Sequence, residues 1–246
     1  MFTFFKRSKP ETANFSMLAT DMHSHLLPAI DDGSPDPETS LELIRGLIHL
    51  GYKKFITTPH VMMDLYKNNS TTIAEAAGIL QHQLNKEKLD VVVHPAAEYL
   101  IDENFENLLS IKEPLLTLHE NYVLVEFSFV SAPLKVQEIL FELQIAGYKP
   151  VLAHPERYSY LQRNREVFDD LKNAGCLFQL NLLSLTDYYG KGVTELANYL
   201  IGKDYYNLAG TDLHHNRHLA GLTNYGTAYR TILRLIDSGK LLNSTW

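Results

Sequence analysis

Short apolar runs rich in β-branched and aromatic residues alternate along this chain with longer stretches whose apolar positions recur every three to four residues. The first helical stretch opens at Asp36 as N-cap, with Pro37 at the first helical position and Glu38 where the helix dipole favours negative charge. Leu41, Ile44 and Ile48 mark one apolar face, flanked by Leu43, Leu47 and Leu50, and Gly51 ends the helix as a C′ glycine. A strand over 54–58 runs straight into Pro59-His60. The same succession recurs. A helix from about 134 to Gly147 leads to a strand over 149–153 and then His154-Pro155. Another helical stretch ends near Gly175, ahead of the apolar run 176–183, and 206–210 leads to Thr211-Asp212-Leu213-His214. Strands are also expected over 90–93 and 122–127, and a last helix over 225–237.

Alternating strands and helices imply an α/β fold with a parallel sheet, open or closed. Residues of metal-ligand type decide between the two. His23, His25, His60, Glu98, Glu126, His154, Asp212 and His214 all fall at or just beyond the C-terminal ends of expected strands, from both ends of the chain and its middle. A closed barrel gathers every strand end on one face, whereas an open sheet would hold its outermost ends apart. A distorted barrel is therefore the expected architecture. The length of 246 residues suits one domain over 17–246 behind an N-terminal extension over 1–16, expected to be a frayed end.

Composition narrows the function. A net charge of −7 argues against nucleic acid as partner. The single cysteine, Cys176, cannot form an intrachain disulfide, which points to a reducing cytoplasm. No apolar run approaches the roughly 20 residues of a membrane span, and aromatic residues precede the basic ones at the N-terminus, the reverse of a secretory signal.

The chemistry is concentrated in a few motifs. In Asp21-Met22-His23-Ser24-His25, the two histidines are two apart on a strand and share a face, so both can address one ion. Asp31-Asp32-Gly33 brings carboxylates to the same mouth. Glu126, inside the apolar run 122–127, is costly unless paired or metal-bound. Several hydrolytic classes are excluded. Cys176 is followed six positions later by Leu182, not by the arginine of a cysteine-dependent phosphatase. No Gly-x-Ser-x-Gly elbow, Walker loop, dinucleotide fingerprint or His-Glu-x-x-His helix occurs. Metal-dependent hydrolysis survives, with nine imidazole and carboxylate positions, more than one ion needs: His23, His25, Asp32, His60, Glu98, Glu126, His154, Asp212 and His214. Mixed nitrogen and oxygen ligation suits manganese, iron or zinc. Arg157 and Arg217 are candidates to grip phosphate oxygens, the alternative for Arg157 being an ion pair with a nearby carboxylate. Asp21 either orients His23 or begins the strand, and His215 and His218 are as plausible in supporting or surface roles as in coordination.

With Asp21-x-His23-x-His25, Asp31-Asp32-Gly33, Thr58-Pro59-His60, Glu98, Glu126, His154-x-Glu156-Arg157-Tyr158 and Gly210-Thr211-Asp212-x-His214 in order, the chain resembles the PHP (polymerase and histidinol phosphatase) superfamily. Within it, the chain looks most like the bacterial metal-dependent protein tyrosine phosphatases of capsule and exopolysaccharide loci. The resemblance implies a distorted (β/α)7, TIM-like barrel and three divalent ions, commonly manganese (Mn2+) or iron (Fe2+/Fe3+). It implies His23, His25, Glu126 and Asp212 on one ion, Glu98, bridging Glu126 and His154 on a second, and Asp32, His60 and His214 on the third. Three dications would outweigh the four carboxylates and leave a pocket suited to a phosphate dianion. The implied activity is protein-tyrosine-phosphatase hydrolysis of phosphotyrosine, with Arg157 as phosphate ligand. The implied substrate is a membrane-associated tyrosine kinase that controls polysaccharide export. Two alternatives stay open: a phosphatase of a small phosphomonoester such as histidinol phosphate (or a phosphodiesterase), and a non-catalytic metal-bound partner module. The residues leave a homo-oligomer open as well. His215 stands where the family commonly has asparagine, which unsettles the register of Arg217.

Overall fold

The computed structural model describes residues 13–246. In chain order the elements are β1 (Thr20–Asp21), α1 (Pro37–His49), β2 (Lys54–Thr57), β3 (His60–Val61), α2 (Ser70–Lys86), β4 (Val92–Pro95), β5 (Glu98–Leu100), α3 (Glu103–Ser110), β6 (Tyr122–Glu126), α4 (Val136–Ile145), β7 (Lys149–Ala153), α5 (Glu166–Asn173), β8 (Leu177–Asn181), α6 (Lys191–Gly202), β9 (Tyr206–Gly210), α7 (Asn216–Thr223) and α8 (Ala228–Asp237). Local chemistry sets the ends of α1: Asp36 Oδ1 accepts from Thr39 N at 2.7 Å, and Gly51, at φ +100°, takes the left-handed position after the last turn.

All sheet pairings are parallel. They form two sheets, β1-β2-β4 and β3-β5-β6-β7-β8-β9, rather than one uninterrupted ladder. The break falls where Thr58-Pro59 separates β2 from β3 and Ala96-Ala97 separates β4 from β5. Pro59 has no N–H to donate, so pairing there is irregular. Ala96 N donates to Thr57 O and Glu98 N to Pro59 O across the break. At the other margin, just beyond β1 and β9, Asp212 N donates to His23 O at 2.7 Å and His25 N to Leu213 O at 2.9 Å.

Period-two alternation divides the core. Phe55, Val123, Val125, Leu152 and Phe178 belong to the large apolar cluster that includes the buried helix faces. Their strand neighbours Ile56, Leu124, Val151 and Leu208 belong to a smaller one with Met22, Ala96, Ala153 and Trp246. Trp246 packs on Tyr122, ring centroids 5.1 Å apart, and its carbonyl oxygen accepts from Thr20 Oγ1. This apolar plug leaves the opposite, C-terminal strand ends free for polar groups.

Of the extension expected over 1–16, residues 1–12 lie outside the described residues. Ala13 and Phe15 are buried, and Phe15 packs against Tyr52 and Tyr225. Among the described residues no helix is long and apolar enough to cross a membrane.

Candidate metal centre

The nine candidate ligands sit at strand ends or in the turns beside them. His23 and His25 follow β1, His60 and Glu98 open β3 and β5, and Glu126 closes β6. His154 follows β7, Asp212 and His214 follow β9, and Asp32 lies in the turn before α1. Two glycines let the backbone approach closely enough. A Cβ on Gly33 would stand 2.3 Å from His25 O, and one on Gly210 would stand 2.7 Å from His23 Cβ.

The structure brings all nine together. Their donor atoms form four overlapping groups, each with all members within 4.8 Å: His25, Asp32, His60 and His214; His23, His154 and Asp212; His23, His25 and Glu98; His60, Glu98 and Glu126. The expected set of Asp32, His60 and His214 is present and gains His25. The other groupings differ from expectation. Glu98, rather than Glu126, joins Asp212 beside His23 and His25, with Oε2 3.2 and 3.5 Å from their Nε2 atoms. It also reaches within 3.2 Å of His60 Nδ1 and, through Oε1, 3.1 Å of His154 Nε2. Asp212 Oδ1 lies 3.3 and 3.4 Å from the Nε2 atoms of His23 and His25.

Neighbours that sequence reasoning did not assign fix the ring orientations. Gln179 Oε1 pairs with His23 Nδ1 at 2.9 Å, and Asp31 Oδ2 pairs with His25 Nδ1 at 2.8 Å. Each leaves Nε2 turned to the cluster, the arrangement that fixes a ligating imidazole. Gln179 carried a usable signal, a polar side chain in the apolar run 176–183, the same signal that marks Glu126.

The electrostatics are those of imidazoles packed on carboxylates. Burial opposes the charge on Glu98, but His23 and His60 hold its carboxyl well below the usual range. Burial and His25 oppose a charge on His60, yet Glu126 and Glu98 raise it to about 9. His214 goes the other way, lowered to about 3 by burial and the nearby His25. Even so, His60 Nδ1, Glu98 Oε2 and Glu126 Oε1 meet only other members of the cluster, His60 Nδ1 lying 2.9 Å from Glu126 Oε1 and 3.2 Å from Glu98 Oε2 outside hydrogen-bonding geometry, and the buried His154 Nδ1 has no hydrogen-bond partner among the described residues. Buried polar atoms are rarely left so. Nitrogen and oxygen donors converging within ligand distance of common points, several without another partner, fit divalent cations.

Arg157 lies at the edge of this cluster. Its Nη1 donates to Asp212 Oδ2 at 2.6 Å, and its guanidinium stands over the rings of Tyr189 (4.2 Å) and Phe129 (4.8 Å). Asn181 Nδ2 donates to the same Asp212 oxygen. The ion pair expected as the alternative to phosphate binding therefore exists, but it occupies one end of the fork. Arg217 is a correction: it is exposed on the first turn of α7 and does not line the cleft. His218, one position on, is buried toward the cleft, and a helical step of about 100° turns Arg217 outward. His215 and His218 line the cleft in its place. Cys176 is buried and far up in pKa, at about 12, because of that burial.

Comparison with known proteins agrees with this geometry. Over 195 residues the chain is 34% identical to the tyrosine-protein phosphatase YwqE of Bacillus subtilis, covering 79% of this chain and 76% of that protein. Over 203 residues it is 29% identical to the tyrosine-protein phosphatase CpsB of Streptococcus pneumoniae, covering 79% and 82%. The crystal structures of YwqE from Bacillus subtilis and CpsB from Streptococcus pneumoniae, metal-dependent tyrosine phosphatases, include a chain that superposes with a TM-score of 0.74 at 28% identity, covering 91% of this chain and 94% of that one. A zinc-containing histidinol phosphate phosphatase from Lactococcus lactis shares the fold at a TM-score of 0.51 and 14% identity, covering 92% and 93%. The CpsB/CapC family model of capsular polysaccharide synthesis matches residues 19–229, a span that holds every ligand-type residue of the cluster, and the chain belongs to that family.

Proposed function

We propose that this protein is a metal-dependent protein tyrosine phosphatase that removes phosphate from tyrosine side chains of a protein substrate. The observation that carries the reading is the converging set of buried nitrogen and oxygen donors, nine side chains from across the fold, with an arginine fork at its edge. His23, His25, Asp32, His60, Glu98, Glu126, His154, Asp212 and His214 would hold up to three divalent ions, manganese or iron by preference, with zinc also suited to the donors. When bound, such ions supply positive charge at the phosphoryl oxygens and acidify water.

The chain's own residues do the rest. Asp212 fixes one end of Arg157 and the Tyr189 ring beneath it fixes its plane, so Nη2 and Nε, which have no acceptor among the described residues, remain for phosphate oxygens. That fork offsets negative charge on the equatorial oxygens during in-line attack. A phenol of pKa about 10 leaves with little need of protonation. No phosphocysteine forms, because the Cys176 thiol is buried and held neutral. The hydrogen bonds between the two sheets and across their far margin support reading the strands as seven runs of one distorted (β/α)7 barrel. The substrate we propose, as the sequence resemblance implies, is a membrane-associated tyrosine kinase of polysaccharide export, which accords with membership in a family of capsular polysaccharide synthesis. The lone reduced cysteine suits a cytoplasmic setting.

The test offers purified protein a phosphotyrosine peptide, a phosphoserine peptide and histidinol phosphate, with manganese and then with chelator. Turnover should favour phosphotyrosine and vanish with chelator. Equal or better turnover of histidinol phosphate would replace this reading with the metabolite phosphatase, and no turnover would favour a non-catalytic metal-bound module.

A further inference from the structure

The cleft above the ligand cluster measures about 190 Å³, below the ~300 Å³ at which pockets for whole small molecules begin. It suits one substrate side chain. Among the described residues lining it, Phe129 is the single apolar side chain; the rest are carboxylates, imidazoles, Arg157 and Tyr189. The two aromatic residues are not equivalent. Tyr189 is half-buried over one face of Arg157, and its hydroxyl oxygen accepts from Asn181 Nδ2 at 3.3 Å. It is committed to holding the guanidinium. Phe129 stacks on the His154 imidazole, centroids 5.6 Å apart and planes 20° from parallel, yet remains 47% exposed. Beyond it Val130 and Leu134, 88% and 103% exposed, continue an apolar rim along the loop before α4.

A charged pocket needs no phenylalanine to hold phosphate. Tyr189 already covers one face of Arg157, and the Phe129 ring, 4.8 Å from the same guanidinium, keeps nearly half its surface open to cover whatever the phosphate is attached to. We infer that Phe129 is the specificity-determining residue for an aromatic phosphomonoester, its exposed ring packing against the phenyl group whose phosphate Arg157 grips. The inference rests on the phosphatase reading above and adds the source of its preference for tyrosine. Aryl–aryl contact is available to phosphotyrosine and absent for phosphoserine or a phosphorylated alkyl alcohol.

Metal-loaded full-length protein is titrated with phenylphosphonate and with methylphosphonate, neither of which is hydrolysed, and assayed on a phosphotyrosine peptide. Phe129→Leu keeps apolar bulk but removes the ring; Phe129→Tyr restores it. In Phe129→Leu the preference for phenylphosphonate over methylphosphonate should fall about threefold to tenfold, the equivalent of one aromatic pair. kcat/KM on the peptide should fall in step, with methylphosphonate affinity and metal content unchanged. Phe129→Tyr should keep the wild-type preference. An unchanged preference in Phe129→Leu overturns the inference, and so does equal weakening of both phosphonates, which would reduce Phe129 to a support for Arg157. Wild-type protein that binds neither phosphonate and turns over no phosphomonoester removes the phosphatase reading, and this inference with it.

Discussion

Gln179 is the most informative residue to perturb, because one side-chain oxygen serves two ligands. It is wholly buried, accepts from His154 N at 3.1 Å and pairs with His23 Nδ1 at 2.9 Å. The second contact fixes the His23 tautomer with the proton on Nδ1, leaving the Nε2 lone pair for a cation. Gln179→Leu keeps most of the volume but removes the one acceptor that serves both, stranding two buried donors at about 1–3 kcal/mol each. Metal-free protein should therefore lose roughly 2–6 kcal/mol of stability, read from its urea midpoint. Freed to rotate or change tautomer, His23 should bind metal less well, and loss of such a supporting partner costs about 10–100-fold in affinity. The assay is competition for Mn2+ against a chromophoric chelator, with circular dichroism to establish that the variant is folded. Gln179→Glu keeps the acceptor but loses the donor that Nε2 offers to Leu180 O at 2.6 Å, so it should recover manganese affinity only in part. Folded Gln179→Leu that binds manganese as tightly as wild type would refute the assignment of His23 as a ligand held by Gln179.

Other outcomes are equally specific. Arg157→Lys replaces a fork with a point charge and should lower kcat/KM on phosphotyrosine about 100-fold at unchanged metal content; a variant near wild-type rate would detach Arg157 from phosphate binding. With the Cys176 thiol pushed up to about 12 by burial, native protein at pH 8 should not react with a disulfide reagent until urea is added, and Cys176→Ser should keep full activity; prompt labelling of native protein would contradict the burial. In metal-free protein His60 is raised from 6.5 to about 9, so its stabilising contribution is complete below about pH 6.5 and is lost as pH climbs through 9. Manganese binding at pH 8 should then release protons, seen as calorimetric heats that vary with buffer ionisation enthalpy, whereas buffer-independent heats would count against a protonated imidazole in the cluster.

The elements legible in the sequence are those with local signals. Asp36, Pro37 and Gly51 bound α1, and the apolar run ahead of His154 is β7. Of the helices not placed from sequence, α6 follows Gly190 with no capping side chain and α7 is capped by His215, whereas α2 and α3 open on Asn69 and Asp102, ordinary caps ahead of apolar patterns too weak or too short to stand out. The break between the sheets depends on how Pro59 meets its neighbours, which alternation alone does not encode. The candidate ligands were legible because carboxylates and imidazoles at strand ends are rare without a purpose, whereas their grouping required the backbone path. Asp31 and Asp32 show why. They are adjacent and chemically identical, but the turn buries the Asp31 side chain fully against His25 and leaves that of Asp32 53% exposed, with Oδ1 3.5 and 3.6 Å from the Nε2 atoms of His60 and His214. Phe129 and Tyr189 gave no signal, since loop aromatics are common and only Arg157 between them gives them a role.

His154 shows how the fold reaches a geometry that regular structure would deny it. In β7, Val151 and Ala153 face the inner apolar cluster and Leu152 faces the outer one, so plain alternation would send His154 outward. Instead its backbone takes φ 33° and ψ 55°, a left-handed conformation that costs a non-glycine residue on the order of 1–3 kcal/mol. The following Pro155 disfavours the right-handed helical alternative. Gln179 Oε1 accepts from His154 N, and Arg157 N donates to His154 O at 2.9 Å, so the turn is held at both its polar groups. The ring then meets Glu98 and lies beside His23, whose own ring is held by the same Gln179 oxygen. Strain at β7 and order at β1 are thus coupled through one buried amide. The backbone and this amide place the rings, and the attraction between imidazoles and carboxylates acts on groups already brought together.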